Sequence, residues 1–332
     1  MALERRTVIR FACAKALRLL LLLVAVASLS YGIMCLSPID PIRAYVGDDA
    51  LGISPEQRQK IAERWGLNGS AGERYARWLG RIVRGDLGRS QIYDRPVLDV
   101  IVGKARLSAG LMAVAWCLSG IIGFSLGVLA GAYHGSWIDR LLRWFAYLVA
   151  SAPAFWVGML LLVVFSITLQ VAPSCCAAPP GMDPGQIPFG LWLRHLALPA
   201  LTLSLTGVAN VLLHTRQKML DALKSDYALL ARAQGASLPA IVWHHGLRNV
   251  SVPAINIHFA GFSELFGGAV LAEQVFAYPG LGQATVQAGL RSDVPLLLGI
   301  VLVSAVFVFA GNTLADMFSR IVDPRIRLGA RS

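Results

Sequence analysis

Few side chains in this sequence stand in patterns that could support catalysis. The only Gly-Lys pair, Gly103-Lys104, is followed by Ala105 and so lacks the hydroxyl residue that completes a phosphate-binding loop. No His-Glu-x-x-His sequence, which would hold zinc from one face of a helix, occurs in the chain. The chain is therefore not expected to bind or hydrolyse ATP by itself. We assign no catalytic residue, no metal site and no cofactor.

The histidine and cysteine pairs are poorly spaced for metal binding. His244 and His245 are adjacent and point in different directions on a helix, which favours interface or surface positions over metal ligation. Cys175 and Cys176 are also adjacent, and adjacent cysteines rarely bridge each other for geometric reasons. We expect an incidental loop pair, with a metal or redox role as the alternative. A soft metal would draw on the nearest suitable side chains, Met182 and His195.

One carboxylate stands in the interior of a largely apolar span, residues 251–273, whose last residue is Glu273. The interior carboxylate is Glu264, and Asn256 and His258 precede it on the same span. Ionisable groups in a bilayer are costly and tend to face a bundle interior or a water-filled path. Two interpretations stay open for Glu264: it lines a translocation pathway, or it hydrogen-bonds another helix. Asn256 and His258 are candidates for the same pathway.

Membrane helices are the elements that must position these groups. Only 15% of the residues are charged and the mean hydropathy is +0.60, whereas soluble domains carry about 25% charged residues. Five windows contain no charged residue and are long enough to cross a bilayer, and the span with Glu264 is a sixth. We therefore predict an all-α integral membrane protein with six transmembrane helices, at Leu17–Leu36, Leu107–Ala132, Leu142–Leu169, Leu196–Leu213, Val252–Ala272 and Leu296–Ala315.

The basic residues follow the predicted topology. The formal net charge is +11, which would suit nucleic-acid binding in a soluble protein but here has another explanation. With the N-terminus inside, the inside segments hold 16 Lys and Arg residues and the two short outside loops hold 2. This bias predicts that both termini are cytoplasmic. Because Tyr31–Pro38 offers no clear cleavage site, we interpret the first helix as an uncleaved signal anchor.

Glycine and proline suggest where the helices pack and bend. Gly123, Gly127 and Gly131 recur every four residues, a spacing that lets another helix approach closely. That helix could belong to this chain or to a second subunit. Pro153 should kink the third helix. Between the first two helices, an amphipathic helix beginning at Ser54 and a stripe of apolar residues predict a small outer cap; the stripe is Tyr75, Trp78, Leu79, Ile82 and Val83.

The inside loop between the fourth and fifth helices, 214–251, is polar and basic between two apolar spans. Good helix formers run up to Gly235, which should stop or bend the helix, and Ser237 and Pro239 then begin a second short helix. Pro253 should lie near the start of helix five. The small apolar middle of the loop would suit docking into a groove on a soluble partner. The alternative is an interfacial helix held on anionic headgroups by its basic residues.

Four stretches, in order, resemble the permeases of binding-protein-dependent ABC importers, in particular the dipeptide, oligopeptide and nickel branch. They are "GDLGRS" (Gly85–Ser90) with Arg95-Pro96-Val97, "ARAQG" (Ala231–Gly235) with "HGLRNVSVP" (His245–Pro253), "EQVFAYPGLG" (Glu273–Gly282) and "DPRIR" (Asp323–Arg327). Leu229 stands where the general loop pattern has a glutamate, which this branch commonly lacks.

The resemblance implies the architecture of a type I ABC importer permease. Its cytoplasmic loop would be the coupling helix, which sits in a groove of an ATP-binding subunit. The core of that contact would be Ala231, Arg232, Ala233 and Gly235, with Arg248 and Asn249 holding the second short helix. The implied partners are a second homologous permease, two ATP-binding subunits and an extracytoplasmic solute-binding protein in a bacterial inner membrane. ATP hydrolysis would belong to the ATP-binding subunits.

The expected organisation has four parts. These are 1–36 (N-terminus and first helix), 37–95 (extracytoplasmic segment), 96–316 (transporter domain) and 317–332 (cytoplasmic tail). The branch handles peptides and also nickel and metal–chelator (metallophore) complexes, and the motifs do not separate these substrates. A stand-alone carrier or channel is the alternative function.

Overall fold

The computed structural model of the chain describes residues 2–36, 54–64, 70–179, 181–182 and 187–322. Every regular element in these ranges is helical, apart from one isolated bridge between Arg89 and Pro96. The helices are α1 (Ala2–Leu36), α2 (Pro55–Arg64), α3 (Ala71–Val83), α4 (Val97–Ala132), α5 (Trp137–Ser151), α6 (Ala154–Leu161, continuing as a π-helix over Leu162–Thr168), α7 (Phe189–Leu223), α8 (Asp226–Ala233), α9 (Leu238–Ile241, continuing as a π-helix over Val242–Gly246), α10 (Leu247–Ala260), α11 (Phe262–Val275), α12 (Leu281–Leu290) and α13 (Val294–Val322). The all-α prediction is confirmed. The motif Asp323–Arg327 lies outside the described residues.

Within the described residues, four helices are long and apolar enough to cross a membrane: α1, α4, α7 and α13. Two further spans arise if each bent pair counts as one, namely α5 with α6 and its π-helix, and α9–α10 with α11. The count then reaches the predicted six, but the third and fifth spans are broken helices rather than continuous ones.

The two breaks have different origins. At Pro153 the axis turns by 109°, because proline lacks an N–H and pushes the preceding residue, Ala152, into an extended conformation (φ −83°, ψ 133°). The predicted kink is thus a sharp break. At Gly261 the axis turns by 52° with no proline at the break, and the sequence analysis did not predict this bend.

The chain divides into two compact units, 1–106 with 283–309, and 107–282 with 310–332. In the first unit, α1 and α3 share an aromatic cluster in which the ring of Tyr31 lies 5.1 Å from that of Tyr75 and 5.5 Å from that of Trp78. A capping box of Ser70 and Glu73 begins α3. Most of the predicted apolar stripe packs into this cluster, but Val83 is 81% exposed.

A buried carboxylate organises the turn before α4 in the same unit. Asp293 Oδ2 accepts hydrogen bonds from Ser90 Oγ (2.6 Å) and from the backbone N–H groups of Gln91 (2.8 Å) and Ile92 (3.0 Å). The other oxygen, Oδ1, accepts from the Leu296 N–H at the start of α13. Burial raises the pKa of the nearby Tyr93, whose hydroxyl donates to Gln287 Oε1. The serine that ends the "GDLGRS" motif is therefore part of this turn.

In the second unit, α7 is the central helix and packs against α5, α6, α10 and α11. Its close contact with α4 depends on glycine. A Cβ at Gly123 would lie 2.8 Å from Val211 Cβ, and one at Gly127 would lie 2.6 Å from Thr215 Cβ. Gly131 lies against Met219 in the same way. The structure thus places all three glycines against a helix of the same chain.

Candidate coupling surface and pathway residues

The predicted coupling segment is a short helix followed by a left-handed glycine. Ser225 in extended conformation begins α8, so the helical run ends at Leu223 and restarts, a break that the sequence analysis did not predict. Gly235 has φ +86°, a conformation that residues with a Cβ rarely adopt. The Ala236 N–H then donates to the Ala231 carbonyl. Ser237 precedes the next helix, with Pro239 in its first turn, as predicted.

The outer face of α8 is apolar and exposed. Tyr227, Leu229 and Leu230 are 40%, 51% and 61% exposed, while Ala228 is buried beneath them. Ala231 is half-buried, and Arg232, Ala233 and Gly235 are exposed. We call Tyr227, Leu229, Leu230, Arg232, Ala233 and Gly235 the coupling surface.

The helix after Gly235 differs from the prediction of a second short helix. The run from Leu238 to Ala260 is continuous, with a π-helical turn at Val242–Gly246 and Pro253 inside the helix rather than at its start. The segment after Gly235 is therefore one long helix, Leu238–Ala260, which we call the rod. Arg248 and Asn249 are exposed on this rod, and Asn249 Nδ2 donates to the His245 carbonyl of its own helix.

Two contacts hold the part of α7 that leads to α8. Arg216 on α7 donates from Nε and Nη2 to both oxygens of the fully buried Asp139, at 2.6 and 2.9 Å, and such bidentate pairs hold geometry well. Met219, one turn further along α7, packs with Val250. A Cβ at Gly246 would lie 2.8 Å from Met219 Sδ. The sequence analysis had counted Arg216 only as an inside charge.

The three predicted pathway residues lie on both sides of the Gly261 break. Glu264 is exposed in the first turn of α11. On α10, the His258 ring stacks on Trp116 of α4 with centroids 4.4 Å apart, and the buried Asn256 Oδ1 has no hydrogen-bond partner among the described residues. No hydrogen bond between described residues joins these three side chains. Because Glu264 is exposed and makes no hydrogen bond with Asn256 or His258, its carboxylate is accessible to a partner or to a translocation pathway.

A buried carboxylate that the sequence analysis did not single out explains the "EQVFAYPGLG" motif. Glu273 is fully buried at the end of α11, where Oε1 accepts from Ser108 Oγ at 2.5 Å and Oε2 accepts from the Gly282 N–H at 2.7 Å. Ser108 Oγ in turn accepts from the Leu281 N–H. A Cβ at Gly280 would collide with the carboxylate, so the glycine is required by the turn. Burial and the Glu273 carboxylate together raise the pKa of Tyr278 to about 12.

The cysteine pair corrects an expectation. Cys175 and Cys176 form a disulfide across adjacent residues with Cα atoms 3.7 Å apart, below the usual range of about 4.4–6.8 Å. The expected unlinked pair was therefore wrong. Among the described residues, no group of three or more His, Cys, Asp or Glu side chains could hold a metal ion, and Met182 is exposed.

One serine sequence in α4 invites a catalytic interpretation that the structure excludes. Gly123-Phe-Ser-Leu-Gly127 matches the Gly-x-Ser-x-Gly motif of a nucleophile elbow, which requires a sharp turn between a strand and a helix. Here it lies in the middle of an uninterrupted helix, and its two glycines serve contact with α7.

Comparison with known proteins gives the same class of fold. The structure is similar to chains from two crystal forms of the inward-facing MetNI methionine ABC transporter. One has a TM-score of 0.54 at 16% identity, covering 68% of this chain and 97% of that chain, and the other has a TM-score of 0.52. These likenesses show that the fold is shared with chains of that transporter.

Sequence comparison identifies the family. Residues 123–328 match the family described as binding-protein-dependent transport system inner membrane component. An oligopeptide transport system permease protein of Bacillus subtilis is 33% identical over 92% of this chain and 95% of its own length. A putative peptide transport system permease protein of Brucella abortus is 35% identical over 91% and 94%. The chain belongs to this family: it is a multi-pass permease subunit of an ABC importer, whose ATPase activity lies on separate subunits and which works with a solute-binding protein.

Proposed function

We propose that this chain forms one half of the translocation pathway of an ATP-driven peptide importer and pairs with a second, homologous permease. Two ATP-binding subunits dock at the coupling surface, and an extracytoplasmic binding protein delivers the substrate. Peptides are favoured as the substrate because the relatives described above are named as oligopeptide and peptide permeases. The nickel and metal–chelator alternatives have no comparable support.

The observation that carries the proposal is the coupling surface itself. Leu229 and Leu230 are large apolar side chains left exposed on a helix of eight residues, with Ala228 buried beneath them. A short helix with such a face is suited to a groove on a protein partner. The left-handed Gly235 then joins α8 to the rod Leu238–Ala260. Closure of the ATP-binding subunits would move the rod and, through the Gly261 break, α11 with Glu264.

The orientation in this proposal places both termini and the coupling surface in the cytoplasm. It rests on the distribution of basic residues outside the long first loop: 16 Lys and Arg residues lie in the inside segments and 2 in the two short outside loops. In a chain whose free cysteines Cys13, Cys35 and Cys117 are replaced by serine, a cysteine introduced by Ser237→Cys should react with a membrane-impermeant maleimide in inside-out vesicles and not in intact spheroplasts. Labelling in spheroplasts would reverse the orientation.

The decisive variant for coupling is Gly235→Asp, made in the chain co-expressed with its partner subunits. We expect uptake to fall by at least about tenfold, with ATP hydrolysis no longer stimulated by substrate, because the side chain disfavours the left-handed turn and places a charge in the contact. The protein should stay in the membrane. Gly85→Asp is the matched control, since Gly85 has φ +82° and open space around it, as Gly235 has.

Normal uptake by the Gly235→Asp complex would count against the coupling role. Transport by the purified chain without ATP would instead support a stand-alone carrier or channel. The substrate is tested separately, by mass spectrometry of the ligand that co-purifies with the binding protein. A bound peptide supports the proposal, and a bound metal complex would replace the substrate while leaving the importer intact.

A further inference from the structure

The Cys175–Cys176 disulfide lies at a junction of three elements of the second unit. Cys176 donates its backbone N–H to the Phe276 carbonyl at the end of α11 (2.9 Å). The carbonyl of Cys175 lies 3.2 Å from His195 Nδ1 on α7. The same segment returns to the π-helix, where Ser166 Oγ donates to the Pro173 carbonyl. The adjacent cysteines therefore tie residues 171–178 to the outer ends of two helices.

The backbone at this tie is in an unusual conformation. Cys176 has φ +73°, a left-handed conformation that is unfavourable for a residue with a Cβ. A bond between adjacent side chains closes a small ring and restricts the backbone between them. Once the ring opens, Cys176 is free to leave the left-handed region, and its N–H then no longer points to Phe276.

The tethered residue belongs to a turn that matters for the helix end. Phe276 and Tyr278 are almost fully buried, and the Tyr278 N–H donates to the Glu273 carbonyl. Beyond the disulfide, Ala177 is 1% exposed. Cys175 itself is exposed, so a reductant in solution can reach the bond while the tie that it supports is internal.

We propose that Cys175–Cys176 is a thiol–disulfide modification site whose reduction by a dithiol frees the end of α11 and slows import. The S–S bond takes up two electrons and two protons and becomes two thiols, while the dithiol loses two hydrogens and becomes its own disulfide. The site lies in the loop assigned to the extracytoplasmic side, where disulfides persist. The effect on import rests on the proposed function.

The chemical state is tested first and does not depend on transport. The complex is purified without reductant and treated with maleimide, and the peptide containing Cys175 and Cys176 is weighed. We expect this peptide to be unlabelled and lighter than the dithiol by two hydrogens. Cys35, an exposed free thiol at the end of α1, is the internal control for labelling. Full labelling of Cys175 and Cys176 would overturn the proposal.

The link to import is tested in proteoliposomes containing the whole importer. Treatment with a membrane-impermeant phosphine should lower uptake by roughly fivefold, the effect of losing about one hydrogen bond. The phosphine is oxidised to its oxide with oxygen from water. Uptake by the double variant Cys175→Ser, Cys176→Ser should equal that of the reduced wild type, and the phosphine should not change it.

A second double variant separates the backbone effect from general damage. Cys175→Ser, Cys176→Gly also lacks the disulfide, but glycine adopts positive φ without penalty. It should restore most of the uptake that the double serine variant loses and should also ignore the phosphine. Equal uptake by reduced and oxidised wild type would overturn the link, whereas no uptake by untreated wild type would point to failure of the proposed function.

Discussion

The coupling surface and the Glu273 turn each contain family motif residues, yet their surroundings are opposite. Arg232, Ala233 and Gly235 are exposed. Gly235 is explained by its left-handed turn, but no contact among the described residues explains the Arg232 and Ala233 side chains. The Glu273 carboxylate is buried, and the backbones of Gly280 and Gly282 pack against it, so that each of the three residues is explained by contacts with the others. A motif explained by its own chain is structural, and a motif left exposed points to a partner.

Removing the buried carboxylate should have the largest effect on stability. Glu273→Leu leaves Ser108 Oγ and the Gly282 N–H without their acceptor, so we expect a loss of about 3 kcal/mol, from hydrogen bonds to a charged group. The apparent melting temperature of the complex in detergent measures it. Glu264→Leu is the matched control on the same helix, because Glu264 is exposed, and its melting temperature should hardly change. Equal losses in stability in the two variants would show that the buried Glu273 carboxylate contributes no more than the exposed Glu264 carboxylate.

Helix packing at the glycine ladder should come next. Gly127→Ala would put a Cβ 2.6 Å from Thr215 Cβ and 2.7 Å from the Leu212 carbonyl oxygen, and overpacking of this kind costs about 1–3 kcal/mol. Gly267→Ala in α11 meets no atom within 4 Å, so it should be neutral or slightly stabilising. A Gly127→Ala protein as stable as wild type would show that α4 and α7 can separate without cost.

The smallest change in stability is expected at the coupling surface. Leu230→Asp should leave the melting temperature of the isolated chain unchanged and weaken binding of the ATP-binding subunits by about tenfold, or about 1.4 kcal/mol. The control is Val83→Asp, at an apolar side chain that is 81% exposed on α3. Its binding of the ATP-binding subunits should equal that of wild type. A destabilised Leu230→Asp chain would place the coupling surface with the structural motifs instead.

Features with a local cause were predictable from the sequence. The break at Pro153 follows from a missing N–H, and the turn at Gly235 follows from the absence of a Cβ. The bend at Gly261 was not predicted, because glycine inside an apolar run carries no comparable signal. The Cys175–Cys176 disulfide was not expected, because the usual geometry was applied to a tight turn.

The buried carboxylates were beyond the sequence for a different reason. Ser108 and Glu273 are 165 residues apart, and Ser90 and Asp293 are 203 apart. A single sequence does not indicate which distant hydroxyl and N–H groups will surround a given carboxylate. Arg216 with Asp139 is a similar case, since each reads as an ordinary charge near a helix end.

The sequence by itself determined the class of this protein: long uncharged runs must become membrane helices, because lipid offers no partner for free backbone groups. It also determined where a polar, glycine-marked segment interrupts them. Only the tertiary structure decided which motif residues make internal contacts and which stay exposed. That distinction depends on burial and on hydrogen-bond partners far apart in the chain, which exist only once the helices have packed.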